Sequence, residues 1–195
     1  KCTDEFGRNR EFKLPPVNAK ALHGLRVDAL RDNFRVSLLS VAESPSEPLY
    51  LVAHVRGAII FSEEWKEPQK KYLLPKQYFP AGVVHFLLLH QNGQPLSERL
   101  AFSDSYTPAI CDLTVNGPIT KKRESISVNA SLQDINQRPL KGVYSVSVVD
   151  GKFASVDSCY NILSHLLLAS ELKGNIQSPG FYFKKESTSA RSCLD

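Results

Sequence analysis

The sequence predicts a mainly β protein: an antiparallel β-sandwich followed by a second, smaller β domain that carries a helical appendage. Three observations lead there. Short apolar stretches with period-two alternation, about seven of them, recur at regular spacing as far as Phe102 and are separated by turn-forming residues. The polar, proline-ended stretch Ser103–Pro108 (SDSYTP) then interrupts the pattern as a domain boundary would. From Ser158 onward the hydrophobic period becomes that of a helix. The expected division is 1–106 for the first sandwich and 107–195 for a second sandwich-like domain, incomplete in this chain, with a helix at about 158–173.

Composition bounds the function. The chain has 195 residues, 42% hydrophobic and 23% charged, as in ordinary globular proteins. A net charge of +4 is mild, and the densest basic cluster, Lys121-Lys122-Arg123, is followed at once by Glu124. A nucleic-acid surface needs a longer basic stripe with aromatic partners, so no nucleic acid is expected. No apolar run approaches the roughly 20 residues of a membrane span. Cys2, Cys111, Cys159 and Cys193 are far apart and form no C-x-x-C pair, against a zinc site or a disulfide-dense miniprotein. Their spacing does not reveal a pairing, and buried or free thiols are the expected state. The chain begins at Lys1-Cys2 without methionine and closes on a Ser-led stretch that reads as the start of another helix. A piece of a longer protein is therefore expected, and the absent signal peptide says nothing of compartment.

Taken in order, Asp4-Glu5-Phe6-Gly7 suits a tight turn, and Phe12 and Leu14 continue into a strand that Pro15-Pro16 ends. Leu25, Val27 and Ala29 share one face of the next strand, and Phe34, Val36 and Leu38 one face of its successor across Arg31-Asp32-Asn33. After the Pro- and Ser-rich loop 42–48, Leu51, Ala53 and Val55 alternate with Tyr50, Val52 and His54. Gly57 interrupts this run before Ala58–Phe61, as a bend or bulge would. Trp65 lies in a charged loop, Tyr72-Leu73-Leu74 is a short strand, and Lys76–Gly82 is a compact corner. Tyr78 and Phe79 are expected to plug the sandwich end below it.

The corner feeds a hairpin from Val83 to Phe102, around which the first half is organised. Asn92-Gly93 is the strongest turn signal in the chain. A type I turn with Gly93 left-handed in a bulge sets Val84, Phe86 and Leu88 beside Leu96 and Leu100, leaving His85 with Ser97 and Arg99. A two-residue turn puts His85 in the core face instead, so the bulged form is expected.

Beyond the boundary, Cys111–Val115, Ser125–Leu132 and Val143–Val149 read as strands. The sequence Leu88…Asn92…Pro95-Leu96 is echoed as Leu132…Asn136…Pro139-Leu140, with Gln137 where Gly93 stands. Convergence of two hairpins on the same turn chemistry accounts for the echo more simply than a repeat. Ile162, Leu163, Leu166, Leu167 and Leu168 lie on a helix capped by Asp157 or Ser158 and stopped by Gly174. So broad an apolar face needs a partner surface, inside the domain or beyond it.

Catalytic signatures are missing. The histidines are His23, His54, His85, His90 and His165, with no i, i+4 pair on a helix and no H-E-x-x-H. There is no G-x-S-x-G elbow, Walker loop or G-x-G-x-x-G, and the paired carboxylates, such as Glu63-Glu64, are adjacent surface pairs. No enzyme activity, cofactor or metal is expected. Two candidate binding features remain. Val83, His85, Leu87 and Leu89 leave an apolar outer face on the hairpin's first strand, of the kind that meets a protein partner or neighbouring domain. Trp65 and Tyr72 are candidates for an aromatic platform that binds a glycan.

The stretch Leu49–Phe102 resembles the macroglobulin-type immunoglobulin-like domains of large, mostly uncharacterised cell-envelope proteins of Bacteroidetes. The likeness rests on the corner Leu74-Pro75-Lys76-Gln77-Tyr78-Phe79-Pro80-Ala81-Gly82-Val83, the turn His90-Gln91-Asn92-Gly93-Gln94-Pro95, and the return strand Glu98-Arg99-Leu100-Ala101-Phe102. His90 stands where that group has aspartate. Further on, a strand ending in Val149-Asp150, a leucine-rich helix and Ser178-Pro179-Gly180-Phe181-Tyr182-Phe183 continue the resemblance. It implies an immunoglobulin-like sandwich in the periplasm or at the outer membrane of a bacterium, in proteins some of which carry TonB-receptor-plug-like domains. None of the four cysteines lies in a Cys-Gly-Glu-Gln thioester motif, so covalent protease trapping has no residue here to perform it. The expected role is a non-catalytic structural or protein-interaction module, with carbohydrate binding as the alternative.

Overall fold

A computed structural model describes residues 2–3, 6–11, 13, 16, 23–40, 47–66, 71–107, 109–117, 125–152, 159–183, 190 and 194. Phe12, Leu14, Asp157 and Ser158 lie outside them. Near the N-terminus β1 (Cys2–Thr3) pairs with β2 (Asn9–Arg10) around Gly7, whose φ is +75°. β3 (His23–Ala29), β4 (Asn33–Ser40) and β7 (Lys71–Pro75) form one antiparallel sheet in the order β3-β4-β7. β5 (Leu49–Val55), β6 (Ala58–Glu64), β8 (Gly82–His90) and β9 (Pro95–Ser103) form another, in the order β6-β5-β8-β9.

The core between these sheets follows the alternation of the sequence. On β5, Leu49, Leu51, Ala53 and Val55 are buried while Tyr50, Val52 and His54 are only partly covered. Leu25, Phe34, Val36 and Leu74 meet them from the facing sheet, and Val84, Phe86 and Leu88 complete the layer. Phe34 stands edge-on to both Phe79, at 5.4 Å between ring centroids, and Phe86, at 5.3 Å. Phe79 plugs the sandwich end as expected, whereas Tyr78, one residue earlier, points to solvent. Arg56 (φ 48°) and Gly57 (φ 79°) form a two-residue turn that reverses β5 into β6, with Val55 opposite Ala58. Two successive positive φ values are the mark of a type I′ hairpin, so Gly57 closes a turn and does not merely bend a strand.

The β8–β9 hairpin holds one surprise. Its turn is the bulged form: Gly93 N–H donates to the His90 carbonyl, His90 N–H to the Gln94 carbonyl, and Gly93 has φ 81°. A further register shift follows between Leu88 and Leu89, because Leu89 faces Pro95 but Leu88 faces Ser97. Leu96 is the extra residue, and beyond it every β9 side chain changes face. His85 is therefore opposite Leu100, and Phe86 is opposite Arg99. This overturns the expected pairing of Val84, Phe86 and Leu88 with Leu96 and Leu100. The physical reason is β3, which runs close beside β9: Leu25 N–H donates to Ser97 Oγ at 3.1 Å. Small Ser97 and Ala101 permit that approach, whereas leucines on that face would hold the strands apart.

The second half is different in kind. β10 (Ile110–Asn116) and β11 (Ser127–Gln133) pair antiparallel in register, and their side chains are exposed except for Leu132 and Gln133 at one end. The expected strand Val143–Val149 does not form: residues 140–150 have no regular secondary structure and are exposed throughout. The chain starts back along β11, since Leu140 N–H donates to the Leu132 carbonyl, and then leaves it. The expected helix at about 158–173 is also corrected. One helical turn, α1 (Ile162–Ser164), passes into a π-helical turn at His165–Ala169. Its cap is Asn161, which exchanges reciprocal hydrogen bonds with Ser164: the Asn161 side chain accepts from Ser164 N–H, and Ser164 Oγ accepts from Asn161 N–H. Gly174, the expected stop, has φ 101° but lies beyond the helix end, which falls at Ala169 with Ser170 as its C-cap. A 3-10 turn at Pro179–Phe183 completes what we call the strap, residues 161–183.

Candidate functional site

The outer face of β8 and β9 begins with Val83 and Phe102, which lie opposite each other and are both buried. The strap covers them. Leu168 is buried against the pair, and Leu167, Leu172, Ile176, Tyr182 and Phe183 pack around it. The Phe183 ring stands edge-on to Phe102 at 6.0 Å. Thus part of the apolar face and the apolar helix, each lacking a partner in the sequence reading, cover one another. Gly82 allows this approach. It has φ 123°, and a Cβ there would come 3.3 Å from the Leu167 carbonyl oxygen and 2.9 Å from Arg56 Nη1.

Farther along β8 the covering thins. His85 Nδ1 lies 2.7 Å from Glu98 Oε1, and its Nε2 lies 3.9 Å from Glu171 Oε2 on the strap. Its ring stacks on that of His54 across the strands, 4.6 Å between centroids and 9° from parallel. Leu87 and Leu89 are partly covered, facing Glu98 and Pro95 on β9 and Val52 and Tyr50 on β5. Val83, His85, Leu87 and Leu89 therefore do share one outer face, with its first residue occupied by the strap.

Trp65 and Tyr72 are elsewhere, and their placement corrects the idea of an open aromatic platform. Trp65 is 3% exposed and Tyr72 is 7% exposed. Their rings pack edge to face at 4.9 Å, and Tyr72 stands edge-on to Phe61 at 5.6 Å. Tyr72 donates its hydroxyl to the Glu64 carbonyl, and burial, helped by the Glu63 carboxylate, pushes that hydroxyl above its ordinary range. The charged residues around Trp65 in sequence concealed its burial, because Trp65 N–H pairs with the Leu49 carbonyl at the start of β5 and draws the residue inward.

The sequence reading missed the most exposed apolar surface. On β10–β11, Cys111, Leu113 and Val115 pair with Leu132, Ala130 and Val128, so these six share one face, and the opposite face is polar apart from Ile110. Cys111 there carries a free thiol. Val143, Tyr144, Val146, Val148 and Val149 follow as a further run of exposed apolar side chains. The signal was present as alternation; what it failed to convey was that no second sheet lies over it among the described residues.

Beside the Lys76–Gly82 corner an open cleft of about 730 Å³ is lined by Arg31, Asp32, Lys76, Asp104 and Tyr106 among others. Its two cations and two carboxylates balance. Lys76 Nζ sits 5.2 Å from the Phe34 ring centroid and 3.9 Å from Asp104, which gives that lysine a structural role. Among the described residues no group of three or more His, Cys, Asp or Glu could hold a metal ion. No helix among them is long and apolar enough to cross a membrane. Comparison of the chain with known protein families, curated proteins and solved structures finds no match.

Proposed function

We propose that this chain is a non-catalytic protein-interaction module of a larger bacterial cell-envelope protein. Its partner contributes a β-strand beside β10–β11 and the exposed run 142–149. The carrying observation is the uncharged, valine-rich run Gly142–Val149, which is exposed and has no strand partner among the described residues, close to a two-stranded sheet. Isolated two-stranded hairpins are at best marginally stable in water, and a bare apolar strand invites main-chain pairing from another segment. Strand addition satisfies both needs, since the backbone supplies affinity and alternate side chains supply register. The envelope setting follows from the resemblance of Leu49–Phe102 to macroglobulin-type domains. A glycan-binding reading has lost its residues, because Trp65 and Tyr72 offer no open face.

The test is retention of partners from an envelope extract by the whole chain and by Val146→Asp, scored by mass spectrometry. A defined protein retained by the parent chain and lost by Val146→Asp supports the reading, provided the sandwich melts unchanged. Equal retention by both chains, or recovery of polysaccharide alone, refutes it.

A further inference from the structure

The strap meets the sheet mainly through apolar contacts, and its ion pair with the sheet, between Glu171 and His85, sits in a particular electrostatic setting. Three groups face the His85 ring: Glu98 from β9 at 2.7 Å, Glu171 from the strap at 3.9 Å, and the stacked His54 from β5. Arg56, at the end of β5, stands nearer Gly82 and donates its Nη1 to the Ala81 carbonyl. From this geometry we infer that the strap is a proton-sensitive latch, held more tightly to β8–β9 in mildly acidic than in mildly alkaline solution.

The position of one proton decides the sign of the Glu171 contact. A neutral imidazole has a single N–H, and its hydrogen bond to Glu98 fixes that N–H on Nδ1. Nε2 then presents a lone pair to the Glu171 carboxylate, and the strap's charge meets the negative end of the ring. When His85 takes a second proton, Nε2–H faces the same carboxylate and the contact becomes attractive. The Glu171 contact thus changes sign with the proton, while the Glu98 bond persists in both states. His54 confines the charge to one ring. Two stacked imidazolium rings 4.6 Å apart repel, and His54 Nδ1 is buried with no hydrogen-bond partner, so a donor there has nothing to bond. The side chains of His85 and Glu171 are 16% and 19% exposed, which lessens screening of their contact.

The docked strap favours the protonated ring over the neutral one, so the added hold is present when the ring carries its second proton and fades when alkali removes it. A single, partly exposed pair of this kind changes an equilibrium by roughly two- to fivefold.

Hydrogen exchange of the full chain reads this directly, comparing strap amides with those of β5 and β8 at about pH 5.5 and about pH 8 after correction for intrinsic exchange. Strap protection relative to the sheet is expected to be roughly threefold higher at the lower pH. Glu171→Gln, which keeps the shape and removes the charge, is expected to flatten that difference while leaving the sheet protected. His85→Gln, a second route that removes the titrating ring, is expected to do the same. A flat profile in the parent chain overturns the latch, as does a variant of either kind that keeps the parent's pH response with an intact sheet.

Discussion

Two hairpins in this chain make the same turn and meet opposite fates. At 90–94 and at 134–138 the hydrogen bonds correspond one for one across the offset of the sequence echo. Gly93 N–H bonds the His90 carbonyl as Gln137 N–H bonds that of Asp134, and His90 N–H bonds the Gln94 carbonyl as Asp134 N–H bonds that of Arg138. The left-handed residue is Gly93 in the first and Gln137, at φ 62°, in the second. Asp134 compensates for the missing glycine by accepting from Asn136 N–H, Arg138 N–H and Arg138 Nε. Yet β8 lies between two strands with one face in the core and the other partly under the strap, whereas the strand that should follow the second turn pairs, beyond Leu140, with nothing among the described residues. Turn chemistry starts a hairpin; a covering layer is what keeps it.

The sharpest way to expose that difference is to remove a side chain from each hairpin. Phe86→Ala empties a fully buried site flanked by Phe34 and Phe79, and is expected to destabilise the sandwich by about 3–5 kcal/mol in urea or thermal unfolding. Val128→Ala, on the exposed face of β11, is expected to stay within about 0.5 kcal/mol. A large effect of Val128→Ala would show that a layer does cover the second hairpin.

The strap supplies an intermediate case. Gly82→Ala places a methyl group against the Leu167 carbonyl at a backbone angle that side chains avoid, with an expected cost of about 1–3 kcal/mol. Its signature is loss of strap protection in hydrogen exchange while β4 and β5 remain slow. Equal loss everywhere would mean that strap and sandwich unfold as one unit.

The two turns give the finest contrast. Gln137→Gly relieves the left-handed strain and is expected to favour the second turn by about 1 kcal/mol, whereas Gly93→Gln disfavours the first by a similar amount. Acid separates them further. Hydrogen bonds from Arg138 hold the Asp134 carboxyl below its usual range, so its contribution is present above about pH 4 and lost as pH falls through the lowered value. The 134–138 turn should therefore loosen in acid before the glycine-built 90–94 turn does, as NMR shifts of Gln137 and Gly93 amides would report.

Much of the first sandwich was legible because its determinants are local. Leu49 to Val55 alternate strictly, Asn92-Gly93 specifies its turn, and the Gly82 corner is compact. The faces of β9 were not legible, since the bulge at Leu96 depends on how closely β3 approaches Ser97, a contact 72 residues away in sequence. The strap was read as a longer regular helix because leucine spacing cannot distinguish α from π winding. Its role as cover for Val83 and Phe102 was half visible, as two apolar faces each in want of a partner. Trp65 was misread because charged neighbours suggest solvent, although a single inward residue between them is enough to fill a core.

The run Gly142–Val149 also bears on how this chain behaves in quantity. It contains no charge and no proline, and β-branched residues recur along it, the composition of segments that stack in register into fibrils. Lys141 and Asp150 bracket it, one charge at each end. Such flanking charges act as gatekeepers, because identical copies stacked in register must bring like charges together at every layer. The same bracket would leave a single incoming strand unopposed, and so would favour one foreign partner over endless copies of itself.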